Sequence, residues 1–219
     1  MGSLVAALEE RFAGLLLSVR ESTIGEVTLE VSAQNYRSVC SVLKTAEQFA
    51  FAQLMDLCGV DYLHYGCAEW TTQAATEQGF SRGSHDAVVN TQKPRFAVVL
   101  HLLSLKHKMR LRVRTYPDPE TLLLDSVVDV WACANWYERE AYDLFGILFS
   151  DHPDLRRILT DYGFVGHPFR KDFPVEGKVG VRYDAKQGRV VYEPVDIDAR
   201  VLVPKVIRKA NDPKEIAGV

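Results

Sequence analysis

Glu138, Arg139, Glu140 and Asp143 fall within six residues of one another and are the side chains best placed to do chemistry. Three carboxylates beside a guanidinium could trade protons as general acid and base. The same set could equally tie a helix to the loop that follows it, because structural ion-pair networks also perturb titrations. The structural knot is the favoured reading, since nothing nearby supplies a nucleophile paired with a base. His152 and His167 each precede a proline, which biases them to extended backbone at loop corners. With no cysteine or second histidine at ligand spacing, each is expected to hydrogen-bond its own loop rather than hold a metal. Arg156-Arg157 and Arg170-Lys171-Asp172 lie among Tyr162, Phe164, Phe169 and Phe173. Arginine mixed with aromatics suits docking on acidic groups of a partner more than plain solvation.

These residues need a helix to position them. Asn135 with Glu138 three residues on has the form of a capping box, and Gly146 is a stop signal just past the last turn. At about 100° per residue, Tyr137, Ala141, Leu144 and Phe145 share an apolar face. Trp136, Arg139, Glu140 and Asp143 gather opposite, with Arg139 and Asp143 at the i,i+4 spacing of an ion pair. Glu138 projects at the margin of the apolar face, where an unpaired carboxylate would cost several kcal/mol, so it is expected to be hydrogen-bonded.

The rest of the chain must build the platform. Residues 3–17 carry Leu4, Leu8, Phe12 and Leu15 or Leu16 at helical spacing behind Ser3. Residues 24–31 alternate apolar with acidic and read as a half-buried strand. A second helix is expected over Asn35 to Glu47, with Tyr36, Val39, Val42 and Leu43 inward. Phe51 to Tyr65 reads as a helical turn leading into a strand. Residues 66–94 are small and polar without a period, an insertion loop. Arg95–Leu105 and Met109–Tyr116 flank Lys106-His-Lys108 as a hairpin that Pro117-Asp-Pro119 ends. Its first strand is apolar on both faces and should be central. Its second turns Arg110, Arg112 and Arg114 to one side, either a solvated row or one facing an acidic partner or the C-terminal extension.

Beyond residue 150 the chain changes character, and six of the nine prolines lie in 151–219. A short helix could start at Pro153 and run to Leu159. Val179–Tyr183 and Arg189–Tyr192 could pair across Asp184–Gly188. The expected fold is α+β: a two-layer domain over 1–149, with a mixed sheet and packed helices, plus an extended proline-rich arm over 150–219. Such an arm cannot build its own core and should lie against its own domain or a partner.

Composition trims the functional classes. The 219 residues are 47% apolar, enough for a core, and carry a net charge of −3, which argues against a general nucleic-acid binder. Cys40, Cys58, Cys67 and Cys133 are widely spaced without a C-x-x-C pair, which disfavours a zinc or iron–sulfur site and suits reduced thiols. Phe96–Leu105 is the longest apolar run, well short of the ~20 residues of a bilayer span. No dinucleotide fingerprint, Walker A sequence, His-Glu-x-x-His or Gly-x-Ser-x-Gly occurs.

One resemblance makes these readings concrete. Glu138-Arg139-Glu140, Asp143-Leu144-Phe145, His152, Arg156 and Ile158-Leu159 resemble the signature of the 30 kDa subunit of respiratory complex I, its C subunit. Ser126, Trp131, Gly163-Phe164 and Gly166-His167-Pro168, with Arg170, Lys171, Asp172, Phe173 and Pro174, fit it as well. Ala132-Cys133 departs from it, where many relatives have a proline and a small residue. The resemblance implies a non-catalytic assembly subunit in the hydrophilic arm of a proton-translocating NADH:quinone oxidoreductase. It implies no cofactor in this chain, and FMN and iron–sulfur clusters in partner subunits. The neighbours it implies are the D subunit, which is hydrogenase-large-subunit-like, and the B and I subunits. It places the chain on the cytoplasmic side of a bacterial inner membrane, the absence of an Arg- and Ser-rich leader weighing against a mitochondrial precursor. The equivalent subunit of a membrane-bound hydrogenase or another donor:quinone reductase is the alternative. A stand-alone hydrolase using Glu138, Glu140 and Asp143 is the remote one.

Overall fold

A computed structural model describes residues 2–63, 65, 75–76, 79–80, 94–174, 177 and 179–196. In chain order its elements are α1 (Gly2–Arg11), β1 (Leu16–Glu21), β2 (Val27–Ser32), a 3-10 turn (Ala33–Asn35), α2 (Tyr36–Thr45), β3 (Gln53–Asp61), β4 (Ala75–Thr76), β5 (Gly79–Phe80), β6 (Phe96–Ser104), β7 (Met109–Tyr116), β8 (Leu123–Asp125), α3 (Ala134–Phe145), β9 (Leu148–Ser150), β10 (Val179–Asp184) and β11 (Arg189–Pro194). The chain divides into two units, Met1–Tyr65 with Val89–Phe173, and Gly66–Val88 with Pro174–Val219. The segment 150–173, expected in the arm, therefore belongs with the first unit.

The first unit is built on a five-stranded sheet in the order β1-β2-β7-β6-β3. It is mixed: β2 runs parallel to β7, and the other neighbours are antiparallel. Alternation sends Leu29, Val31, Leu111, Val113, Val98, Leu100 and Leu102 into the core with Leu4 and Leu8 of α1 and Tyr36, Val39, Cys40 and Leu43 of α2. The hairpin of β6 and β7 forms as expected, and β6 lies inside the sheet. In the arginine row Arg110 is exposed, and the other two engage their own sheet. Arg112 donates to His101 and Glu26, each at 3.0 Å, and Arg114 meets Glu30 at 3.1 Å and the Tyr62 hydroxyl at 3.2 Å.

Several local expectations are corrected. The first helix ends at Arg11, Gly14 turns the chain at φ +80°, and Leu16–Glu21 pairs with β2 instead of extending the helix. Ile24 to Glu26 form the turn before β2 rather than its start. Phe51 leads directly into β3 without a helical turn. Between Pro153 and Leu159 the chain makes turns and bends, not a helix.

The edge strand β3 is covered by α3. Gly59 permits the approach, since a Cβ there would lie 2.6 Å from the Phe145 ring. Trp131 Nε1 donates to the Phe51 carbonyl, Cys133 Sγ to that of Leu54, and the Tyr137 hydroxyl to that of Met55. Such cover keeps an edge from pairing with other chains.

The second unit is described by two short pairings, β4 with β5 and β10 with β11, both antiparallel. Most of residues 66–94 and all of 197–219 lie outside the described residues, and so do the loop expected in the former and the extended end of the arm.

Candidate functional site

Helix α3 is the element around which the charged motif is arranged. It starts without a side-chain cap: the expected capping box does not form. Amides at its start are satisfied by a tight preceding turn, with Ala134, Asn135 and Trp136 donating to the carbonyls of Trp131, Ala132 and Cys133. Glu138 is thus released for another task. Its Oε2 accepts the Ser126 hydroxyl at 2.7 Å and its Oε1 the Val127 amide at 2.8 Å, pinning the segment before the helix.

The Arg139–Asp143 ion pair expected from i,i+4 spacing does not form either. Arg139 reaches Asp154 at 3.3 Å and lies over the Trp136 ring, while Asp143 takes Arg157 at 3.1 Å. Nor do Arg139 and Asp143 share an exposed face with Trp136 and Glu140, for both are buried. Tertiary partners replace the local pair because the loop after the helix folds back over both residues.

Asp143 is the denser centre. Its Oδ2 accepts the amides of Ile158, Leu159 and Thr160 at 3.0, 2.7 and 2.9 Å, and its Oδ1 takes the Thr160 hydroxyl and Arg157. Three consecutive amides aimed at one oxygen cannot serve a helical ladder, which is why Pro153–Leu159 is not a helix. Burial pushes the Asp143 carboxyl up, but the Thr160 hydroxyl and the amides of Thr160, Leu159 and Ile158 outweigh it and hold it at about 2. Burial raises Glu138 to about 7, because the Ser126 hydroxyl and the Val127 amide offset it only partly and the charge of Asp129 adds to it.

The end of α3 gathers the rest of the motif. Gly146 adopts φ +77° and its amide caps Tyr142, the stop read from the sequence. The last carbonyls go to the chain that follows: Asp143 O accepts His167 Nδ1–H at 2.9 Å, Leu144 O the Phe169 amide at 3.1 Å, and Phe145 O the Arg170 Nε–H at 2.6 Å. Phe145 meets Phe169 edge-on, and Phe173 stacks on Phe164. Asp61, at the end of β3, accepts the Lys171 amide and Arg95, and Arg95 also holds Asp172 at 2.7 Å. Asp61 and Arg95 do not stand out in the sequence; their signal is opposite charges at neighbouring ends of two paired strands.

The structure therefore brings Glu138, Arg139, Asp143, Leu144, Phe145, His152, Arg157, His167, Arg170, Lys171, Asp172 and Phe173 into one junction of helix and loop. Glu140 points to solvent away from it, and Arg156 is an exposed partner of Asp154. His152 hydrogen-bonds its own loop through the Asp154 amide, and also the Asn135 carbonyl. Both buried carboxylates are occupied by internal donors, and Glu140, the third acid of the trio, stands apart from them. No cluster of metal-ligating side chains occurs among the described residues.

Residues 29–179 match the family model described as respiratory-chain NADH dehydrogenase, 30 Kd subunit. The chain belongs to that family. The C subunit of the NADH-quinone oxidoreductase of Legionella pneumophila is 58% identical over 193 residues, 87% of this chain and 85% of that protein. Its counterpart in Coxiella burnetii is 51% identical over 210 residues, covering 94% and 92%. In Hydrogenovibrio crunogenus the figures are 52% over 218 residues, and 96% of each chain. Among solved structures, a trypsin-resistant fragment of Nqo5 superposes with a TM-score of 0.51 at 30% identity, covering 69% of this chain and 98% of the fragment. A chain of an archaeal membrane-bound sulfane sulfur reductase shares the fold alone, with a TM-score of 0.55 at 20% identity over 80% of this chain and 85% of its own. The family's 30 kDa match thus spans both acids of α3 and the loop folded over them.

Proposed function

We propose that the chain is the non-catalytic supporting subunit of the peripheral arm of a proton-translocating NADH:quinone oxidoreductase. Membership of the 30 kDa family and high identity to the C subunits of three such enzymes carry this reading. The enzyme as a whole passes electrons from NADH through FMN and iron–sulfur clusters to quinone, and those groups reside in partner subunits. The chain's neighbours are the D, B and I subunits, and its place is the cytoplasmic side of a bacterial inner membrane. No helix among the described residues is long and apolar enough to cross a membrane, so the assembly holds it there.

The junction on α3 supports a docking role. With its acids committed inward, it presents Leu159, Tyr162, Val165 and Phe169 outward, Tyr162 fully exposed, beside the cations of Arg156 and Lys171. Arginine and aromatic side chains on a braced loop are what a protein interface favours. Gentle detergent extraction through a tag at Met1 tests the proposal. Co-purification of the B, D and I subunits with FMN and NADH:quinone activity supports it. Hydrogenase or formate-linked subunits would move the chain to a sister machine, and a lone stable monomer would overturn the reading. In the same strain, Glu138→Ala or Arg139→Ala lowers the amount of assembled complex, and activity falls in proportion. Normal assembly with dead catalysis would instead demand a direct chemical role.

A further inference from the structure

Glu138 lies where three segments meet, and among the described residues no cation answers it. Its side chain is fully buried, and so is that of His152, whose Nε2 sits 4.0 Å from Glu138 Oε2. On its own helix, Arg139 is committed to Asp154. On α2, the buried phenol of Tyr36 and thiol of Cys40 face it, and burial, with its charge adding, raises both further above their ordinary range. From the preceding segment come Ser126 and the like charge of Asp129, itself paired with Arg37. His152 does not supply the missing charge. Its Nδ1 accepts the Asp154 amide and its Nε2–H donates to the Asn135 carbonyl, which fixes a neutral ring, and burial lowers its pKa. A buried carboxylate with two hydrogen bonds and no cation resolves the conflict by taking a proton.

We propose that Glu138 is a proton-operated latch: a proton gained or lost at its buried carboxyl moves the Nε2–H of His152 between two acceptors. When Glu138 is ionised, Oε2 accepts the Ser126 hydroxyl and draws the His152 Nε2–H from the Asn135 carbonyl, now at 3.2 Å. When it is protonated, Oε2 donates to Ser126 Oγ and His152 stays on the Asn135 carbonyl. The segments before and after α3 thereby respond to one proton. This is a property of the chain by itself, whatever assembly it joins.

The direction with pH follows. The folded carboxyl holds its proton up to about 7 and the unfolded one to 4.5, so the folded state is favoured most below 4.5 and loses that advantage as pH rises through 7.

The test uses the full chain and its E138Q variant. Thermal unfolding from about pH 5 to about pH 8 is expected to lower the wild-type Tm by roughly 5–10 °C relative to E138Q. In the wild type labelled with 13C at the glutamate side chain, one carboxyl resonance titrates near neutrality, and the His152 ring nitrogens shift with the same midpoint while staying neutral. Parallel Tm profiles would overturn the latch, as would glutamate resonances that all titrate below about pH 5.5. If E138Q fails to fold, the wild-type titration decides alone.

Discussion

The two buried acids of α3 sit five residues apart and behave as opposites. Asp143 is held at about 2, Glu138 at about 7, although both side chains are sealed from solvent. The difference is the number and kind of donors. Asp143 receives three backbone amides, a hydroxyl and a guanidinium; Glu138 receives one hydroxyl and one amide. Burial alone therefore does not decide the charge of a carboxylate. The chain folded around it does, and here the loop after the helix supplies what the segment before it lacks.

The largest break in that comparison is Asp143→Asn. It strips the anion from amides and Arg157 that, among the described residues, have no other carboxylate, and should cost roughly 3–5 kcal/mol in urea unfolding, with early proteolysis between residues 157 and 173. A loss below 1 kcal/mol would mean the loop does not depend on this acid. Next comes Gly146→Ala, which places a Cβ at positive φ, 2.5 Å from the Arg170 guanidinium and 2.6 Å from His167 Nε2. Destabilisation of about 1–3 kcal/mol is expected from the strained conformation, more if His167 and Arg170 cannot move.

Acid titration sharpens the contrast. Asp143, depressed from 3.8 to about 2, contributes stability above pH 3.8 that disappears as pH falls through 2. That amounts to roughly 2 kcal/mol, and the acid limb of the wild-type stability curve should be steeper than that of Asp143→Asn. Glu138→Gln belongs lower on the scale: at about pH 8 its cost should stay under about 1 kcal/mol, because the amide keeps the volume and removes a buried charge. Smallest is Arg156→Ala, whose bridge to Asp154 is solvent-exposed and worth about 0–0.5 kcal/mol. An unchanged urea midpoint confirms it, while its effect on assembly remains a separate reading of the docking surface.

The sequence announced whatever depends on near neighbours. Gly146 ends the helix where its type and place say, β6 is buried on both faces over most of its length, and β7 alternates, as their residues demand. It misled where a local rule competed with a distant partner. Asn135 and Glu138 have the spacing of a capping box, yet Ser126 and Val127 claim the carboxylate. Arg139 and Asp143 have the spacing of an ion pair, yet Asp154 and Arg157 intervene from loops 14 to 15 residues on. Helical phase likewise suggested that Leu15 or Leu16 continues α1, yet Leu16 begins the strand that pairs with β2. The motif as a set was legible; which atom answers which was not.

The carbonyl contacts that α3 and the segment leading into it make with β3 and its approach join residues about 80 positions apart, 80 for Trp131 with Phe51 and 82 for Tyr137 with Met55. During synthesis this imposes an order. A nascent chain that has released β3 and β6 but not yet α3 carries an uncovered strand edge, open to any neighbouring chain. Slowing translation between residues 105 and 137 should therefore increase aggregation of the newborn protein, without altering a single contact of the finished one.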